Sequence, residues 1–235
     1  MEGFGQELAG ALRLIIIGDA ALWSVVGLSL YVSVIAVIFA AIIGLPLGAA
    51  LAVLRFPGHK VLRLSVDALM GLPPVVVGLI VYVLLSRSGP FGVLNLLYTP
   101  TAMIIAQVIL VTPIIAALTR QAVATLAAEY KDQLASFGLS PRQTMPTLLW
   151  DARPAILTAV LAGFGRAIAE VGAVMIVGGN IAHVTRVMTT TIALETSKGN
   201  LALALALGAV LLMLAMAVTA AVSLLAQRHA PEGAA

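Results

Sequence analysis

Cysteine is absent from this 235-residue chain, and charged residues make up only 10% of it. The lack of cysteine excludes disulfide bonds and every metal or redox site that is built on thiolates. A soluble domain carries about 25% charged residues, so the shortage of charge excludes a hydrated surface over most of the chain. Apolar residues reach 61% instead, and the mean hydropathy is +1.11. The composition therefore predicts an integral membrane protein.

Motifs for chemistry are also missing. The sequence contains no GxxxxGK[ST] phosphate loop, no HExxH zinc helix and no GxSG motif with a partnering histidine. His59, His183 and His229 fall in predicted loops, where we expect surface positions rather than metal ligands. The basic residues are scattered beside apolar runs, which does not indicate nucleic-acid binding. We therefore expect neither an enzyme nor a metal site, and any ATP hydrolysis must belong to another chain.

Long apolar runs predict an all-α membrane protein with about five transmembrane helices. A span needs about 20 apolar residues, so residues 6–17 are too short and are expected to form an interfacial helix that ends at Gly18. In GLPLG at 44–48, Pro46 is expected to kink the first span, and Gly44 and Gly48 allow close helix packing. The expected organisation is an N-terminal segment 1–19, a transmembrane domain 20–228 with spans at about 22–54, 64–86, 100–126, 154–178 and 200–226, a loop at 127–153, and a tail 229–235.

The distribution of Lys and Arg predicts the orientation of these spans. The segments 55–63 and 120–153, together with Arg228 near the C-terminus, carry eight of the 13 basic residues, whereas the opposite side carries four and one lies in a span. Positive charge accumulates on the cytoplasmic side of membrane proteins. We therefore expect the N-terminus outside and the C-terminus in the cytoplasm.

The predicted cytoplasmic loop at 127–153 has the pattern of two short helices joined at a glycine. Leu134 and Phe137 lie on one face of the first helix, and Gly138 suits a left-handed residue after its end. Ser140 to Gln143 (SPRQ) has an N-cap serine, a proline at the first helical position and a glutamine at the third. This element is either an ordinary amphipathic connector or a rigid knob that fits a cleft in a partner.

Two charges stand inside the apolar stretch GFGRAIAEVGAVMIVGGN at 163–180. Arg166 and Glu170 are four residues apart, so in a continuous helix they lie on one face and can form an ion pair. Such a pair fixes helix packing, or Arg166 faces a pathway and presents positive charge to an anion while Glu170 holds it in place. The sequence leaves both interpretations open.

The segment at 178–200 is expected as an external loop with a short helix. It is rich in hydroxyl and amide groups, including Asn180, Thr189 and Thr190. Neutral donors beside a few cations suit the transit of a partly dehydrated tetrahedral oxyanion. Alternatively, these groups cap and solubilise a loop that docks an external receptor.

The loop at 127–153 resembles the coupling loop of type I ABC-importer permeases, and the resemblance extends over residues 20–226. Asp132 takes the acidic position of that loop and Gly138 its glycine, although Gln133 and Leu134 replace the usual alanines. The resemblance implies a homodimer of permeases that bind two cytoplasmic ABC ATPase subunits, which in turn bind ATP and Mg. The coupling residues that it implies are Asp132, Gln133, Leu134, Ala135, Phe137, Gly138, Ser140 and Pro141.

FGRAIAEVGAVMIVGGNI at 164–181, together with TRVMTTTIALET at 185–196, resembles the tungstate-type branch of the molybdate, tungstate and sulfate permeases. The resemblance implies a multi-pass protein of a prokaryotic inner membrane that receives tungstate from an external oxyanion-binding protein. Molybdate, vanadate and sulfate remain alternative substrates, and an ATP-independent anion carrier or channel is the alternative class. Residues expected in the translocation pathway or in helix pairing are Arg166, Glu170, Asn180, Thr189 and Thr190.

Overall fold

The computed structural model describes residues 2–228, apart from the side chains of residues 2–4, 222, 223 and 225–228. Within this range the chain forms α-helices and one short 3-10 turn, so the all-α prediction is confirmed. His229 and the predicted tail at 229–235 lie outside the described residues. The helices are α1 (Glu2–Ile17), α2 (Ala20–Val53), α3 (His59–Leu69), α4 (Pro74–Leu85), α5 (Pro100–Glu129), α6 (Lys131–Ser136), α7 (Pro141–Asp151), α8 (Arg153–Ile168), α9 (Gly172–Gly178), α10 (Met188–Lys198) and α11 (Leu201–Arg228).

Three of the described helices, α2, α5 and α11, are each long and apolar enough to cross a membrane. Two further pairs, α3 with α4 and α7 with α8, pass the same criterion when each bent pair is taken as one span, which gives up to 5 spans. The predicted number of about five is the upper value of this range.

The predicted span at 64–86 is not one helix. α3 ends at Leu69, and α4 begins at Pro74. Pro73 is extended, with ψ 121°, because the ring of the following proline clashes with a helical residue before it. The proline pair therefore separates two helices where the hydropathy pattern predicted a single one.

The predicted span at 154–178 is also interrupted, and the expectation of a continuous helix there is wrong. α8 ends at Ile168, residues 169–171 are not helical, and α9 begins at Gly172. At its other end, α8 follows α7 with a bend of 74°. The predicted loop at 127–153 also has a different start, because α5 continues to Glu129 and the first three residues of the predicted loop are therefore helical.

The end of the first predicted helix is confirmed, since α1 ends at Ile17 and Gly18 has φ +74°, but the helix begins at Glu2 rather than at residue 6. α1 exposes apolar side chains, including Ile16 at 82%. Asp19 caps the next helix, because its Oδ1 accepts a hydrogen bond from the backbone N–H of Leu22 at 2.9 Å. The location of α1 at the membrane interface stays a prediction.

The described chain divides into two compact units. Unit 1 contains residues 2–36, 73–107 and 167–217, and unit 2 contains residues 37–72, 108–166 and 218–228. In unit 2, a Cβ at Gly48 would lie 2.8 Å from Cβ of Thr119, and one at Gly44 would lie 3.1 Å from Cβ of Ile115. The expectation that these two glycines allow close helix packing is thus confirmed, with α5 as the neighbour of α2.

Candidate functional site

In unit 2, α6 and α7 form the predicted helix–glycine–helix element, which we call the coupling element (131–151). Gly138 has φ +63°, a left-handed conformation. Its N–H donates to the carbonyl of Ala135 at 3.1 Å, and the N–H of Leu139 donates to the carbonyl of Leu134 at 3.4 Å. These two bonds form a Schellman motif, which satisfies carbonyls at the end of α6 and fixes the direction of the chain.

The start of α7 is fixed in the same local way. Ser140 is extended, with ψ 154°, and Pro141 is the first helical residue. The Oε1 atom of Gln143 accepts hydrogen bonds from the backbone N–H of Ser140 at 2.9 Å and from its hydroxyl at 2.7 Å. The predicted helix start is confirmed, and both sides of the glycine are therefore held by defined hydrogen bonds.

One surface of the coupling element is packed and the other is exposed. Leu134 packs against a buried cluster of Ala49, Val123, Leu148 and Ala152, which ties α6 to α2, α5 and α7. Phe137 is 75% exposed and is not among the residues that pack against this cluster. It follows the last residue of α6 and directly precedes the left-handed Gly138. Also exposed are Asp132, Gln133, Ala135, Gly138, Leu139, Ser140 and Pro141.

In unit 1, Glu170 lies in the break between α8 and α9 and is only 3% exposed. Its Oε1 accepts a hydrogen bond from the backbone N–H of Ala173 at 3.0 Å, and its carbonyl accepts one from the hydroxyl of Thr189 at 2.7 Å. The carboxylate thus satisfies a free N–H at the start of α9, and its charge suits a helix N-terminus. Arg166 lies in α8, whereas Glu170 lies after its end. The four-residue spacing therefore does not by itself place the two side chains on one helix face.

The threonines at the start of α10 are buried and form hydrogen bonds with the backbone, and their place in a pathway stays a prediction. Thr190 is 1% exposed, and its hydroxyl donates to the carbonyl of Val187 at 3.0 Å. The same hydroxyl accepts from the N–H of Val187 at 3.2 Å, which caps α10. Thr191 also donates to the Val187 carbonyl, at 2.7 Å. The hydroxyls of Thr189, Thr190 and Thr191 therefore all donate to backbone carbonyls.

Asn180 precedes these threonines and has the left-handed φ of +50°. Its Nδ2 donates to the Thr190 carbonyl at 3.5 Å, whereas its Oδ1 is buried and has no hydrogen-bond partner among the described residues. His183, three residues later, is exposed, as predicted. A buried acceptor without a partner costs about 1–3 kcal/mol, so Asn180 is a position where a ligand or a second conformation would lower the free energy.

Sequence reasoning missed an ion pair and a buried histidine in unit 2. Arg120 was counted only as a cytoplasmic positive charge, but it lies in α5 and its guanidinium donates to Oδ1 of Asp67 at 2.9 Å. Arg63 is farther from the same carboxylate, at 3.9 Å. His59 was expected at the surface, yet it is buried, and its Nε2 lies 2.8 Å from the carbonyl oxygen of Leu51. The Arg120–Asp67 pair joins residues 53 positions apart, so no local sequence pattern predicts it.

Arg120→Met is expected to lower the free energy of unfolding by about 1–3 kcal/mol, because it leaves the Asp67 carboxylate without its close partner. Arg63→Met is the matched control. Its side chain is 54% exposed and 3.9 Å from the carboxylate, and an exposed pair contributes only about 0–1 kcal/mol. Thermal unfolding of the purified protein in detergent measures both. Equal losses in the two variants would contradict the assignment.

Glu195 of α10 was also missed. Its carboxylate accepts hydrogen bonds from Lys198 at 2.9 Å and from Asn200 at 3.0 Å. The Lys198 bond first, and the Asn200 bond second, hold the pKa of Glu195 below its ordinary value. The carboxylate therefore stays ionised at neutral pH. Among the side chains that the structure describes, no group of three or more His, Asp or Glu is placed to hold a metal ion.

Known proteins are similar to this chain over most of its length. A protein of Haloferax volcanii named "Probable anion ABC transporter permease protein" is 43% identical over 202 residues, which cover 84% of this chain and 87% of that relative. The tungstate uptake system permease protein TupB of Peptoclostridium acidaminophilum is 39% identical over 222 residues, which cover 94% of this chain and 97% of that relative.

A solved structure has the same fold. A chain of the inward-facing MetNI methionine ABC transporter superposes with a TM-score of 0.71 at 16% identity, over 92% of this chain and 97% of that chain. Residues 44–230 match the family described as "Binding-protein-dependent transport system inner membrane component". The chain therefore belongs to this family of multi-pass inner membrane permeases of ABC importers, which are not themselves catalytic.

Proposed function

We propose that this permease imports a tetrahedral oxyanion and that the oxyanion is tungstate. The observation that carries the substrate is the 39% identity, over 94% of this chain, to a permease named for tungstate uptake. The archaeal relative named as an anion permease supports the broader class. Two copies of the chain form the pathway, and an external binding protein delivers the ion.

The geometry supports a specific coupling mechanism. Phe137 and Leu139 expose apolar surface, at 75% and 41%, at the turn of the coupling element. We propose that these two side chains dock into a groove on a cytoplasmic ATPase subunit, and that this subunit binds ATP and Mg. Leu134 packs on the cluster formed with α2, α5 and α7. A displacement of the docked turn is thereby transmitted to membrane helices, because close-packed side chains move together rather than deform.

Within the pathway, Arg166 supplies the positive charge in this proposal, and Asn180 supplies amide groups. Thr189 and Thr190 hold backbone carbonyls in this conformation, so their hydroxyls become available to an anion only if α10 changes its contacts. Glu170 keeps α9 in place through Ala173. Neutral donors of this kind bind an ion weakly, which transit requires.

Uptake into proteoliposomes tests the function. The permease is reconstituted with its ATPase subunit, and labelled tungstate and the binding protein are added outside. Uptake is expected only with both partners and internal ATP, and unlabelled molybdate, vanadate and sulfate are expected to compete less strongly than unlabelled tungstate. If sulfate competes better than tungstate, the substrate is wrong. Uptake by the permease alone would indicate a carrier or channel instead.

A further inference from the structure

A cavity of about 280 Å³ lies in unit 1 where α2 and α11 begin. Its walls are apolar and come from the first turns of these two helices, with Leu22, Val25 and Leu28 on one side and Leu203 and Leu207 on the other. Both helices qualify as membrane spans. The cavity therefore lies at the level where two spans enter the membrane.

Trp23 also indicates the position of the cavity along the membrane normal. It neighbours the cavity residues Leu22 and Ser24 on α2 and is 46% exposed. Exposed tryptophans at the ends of spans sit at the level of the lipid headgroups. α1 is close by, since a Cβ on Gly10 would lie 3.2 Å from Cβ of Ala202. The mouth of the cavity is thus expected to face lipid headgroups rather than bulk water.

One end of the cavity is polar and contains Arg186. Its Nε is buried and has no hydrogen-bond partner among the described residues. Another guanidinium nitrogen donates to the Asn180 carbonyl at the long distance of 3.4 Å. A guanidinium carries five N–H donors in a planar fork that matches a phosphate. Arg186 therefore has donors to spare for an anionic group.

The other polar groups of the cavity neutralise this charge only in part. The carboxylate of Glu195 forms its ion pair with Lys198, at 2.9 Å. The charge of Arg186 also helps to lower the pKa of Glu195, but no ion pair within 4.0 Å joins the two side chains in the described part of the chain. The hydroxyls of Ser24 and Thr191 donate to backbone carbonyls at 2.8 and 2.7 Å. The cavity thus combines apolar walls with the guanidinium of Arg186, whose buried Nε has no hydrogen-bond partner among the described residues.

We infer that this cavity binds a phospholipid, with the phosphate on Arg186 and an acyl chain along the α2 and α11 wall. An inorganic oxyanion shares the phosphate chemistry, but it makes no use of walls lined by six leucine and valine side chains. Binding of an acyl chain is favourable in proportion to the apolar surface that it removes from water. The lipid proposal stands whichever ion the permease transports.

The test is native mass spectrometry of the detergent-purified complex of permease and ATPase, titrated with didecanoyl phosphatidylglycerol. Arg186→Gln is expected to raise the dissociation constant of the lipid at its tightest site by about ten-fold or more, because the substitution removes a charge-assisted hydrogen bond. Arg87→Gln is the matched control, because Arg87 is exposed and does not line the cavity. Its dissociation constant is expected to equal that of the wild type.

Two further measurements separate the sources of the anion. Inorganic phosphate or tungstate at the same concentration is expected to leave the lipid bound, and displacement by either would overturn the lipid assignment in favour of a free oxyanion. Equal lipid affinity in Arg186→Gln and the wild type would also overturn it. If Arg186→Gln does not assemble, Leu203→Gln on the apolar wall replaces it, and unchanged lipid affinity in that variant overturns the proposal.

Discussion

Gly138→Val is expected to reduce ATP-driven oxyanion uptake by about ten-fold or more, since a left-handed valine costs at least about 1–2 kcal/mol. Gly138 has φ +63°, and a Cβ there would meet no atom within 4 Å, so the cost comes from the backbone alone. The chain between α6 and α7 must then leave the Schellman geometry. The exposed turn that carries Phe137 and Leu139 changes its conformation, whereas the packing of Leu134 against its buried cluster is retained.

Gly199→Val is the matched control for this prediction. Gly199 ends α10 with φ +80°, and a Cβ there likewise meets nothing within 4 Å. Both substitutions are expected to lower the unfolding temperature by similar amounts. Only Gly138→Val is expected to raise the number of ATP molecules hydrolysed per ion imported, measured in proteoliposomes with the ATPase and the binding protein. A wild-type ratio in Gly138→Val would contradict the coupling role.

The features that were predicted correctly depend on neighbouring residues. The turn at Gly138 that follows α6 and the N-cap of α7 at Ser140 are held by bonds that reach at most five residues along the chain. Such patterns are complete within a short window of sequence. The end of α1 at Gly18 belongs to the same class. The family resemblance was confirmed because it rests on long contiguous segments.

The features that were missed depend on residues far apart in sequence. Hydropathy counts Arg120 and Asp67 as separate charges, yet they are paired across 53 positions. The break at 169–171 is supported by Thr189, which bonds the Glu170 carbonyl from 19 residues away. An apolar run with two charges gives no local sign of this bond. A continuous helix was therefore the expected but incorrect result.

Arg166→Ala is expected to reduce oxyanion uptake by about ten-fold or more, because a hydrogen bond between charged groups contributes about 1.5–3 kcal/mol. Arg166→Lys keeps the charge and is expected to retain part of the uptake, although it loses the planar fork. Uptake is measured with saturating binding protein and ATP, so that delivery and hydrolysis do not limit the rate. Normal uptake in Arg166→Ala, with a lower unfolding temperature, would assign Arg166 to helix packing alone.

Glu170 gives the decisive comparison, because its two functions can be separated by two substitutions. Glu170→Gln keeps an oxygen that accepts from the Ala173 N–H and removes only the negative charge, whereas Glu170→Ala removes both. Ala173 is 0% exposed, so leaving its N–H without an acceptor costs about 1–3 kcal/mol. If Glu170 serves to cap α9, Glu170→Gln unfolds near the wild-type temperature and Glu170→Ala well below it. If the charge itself matters, Glu170→Gln and Glu170→Ala lose stability equally, and the capping role is wrong.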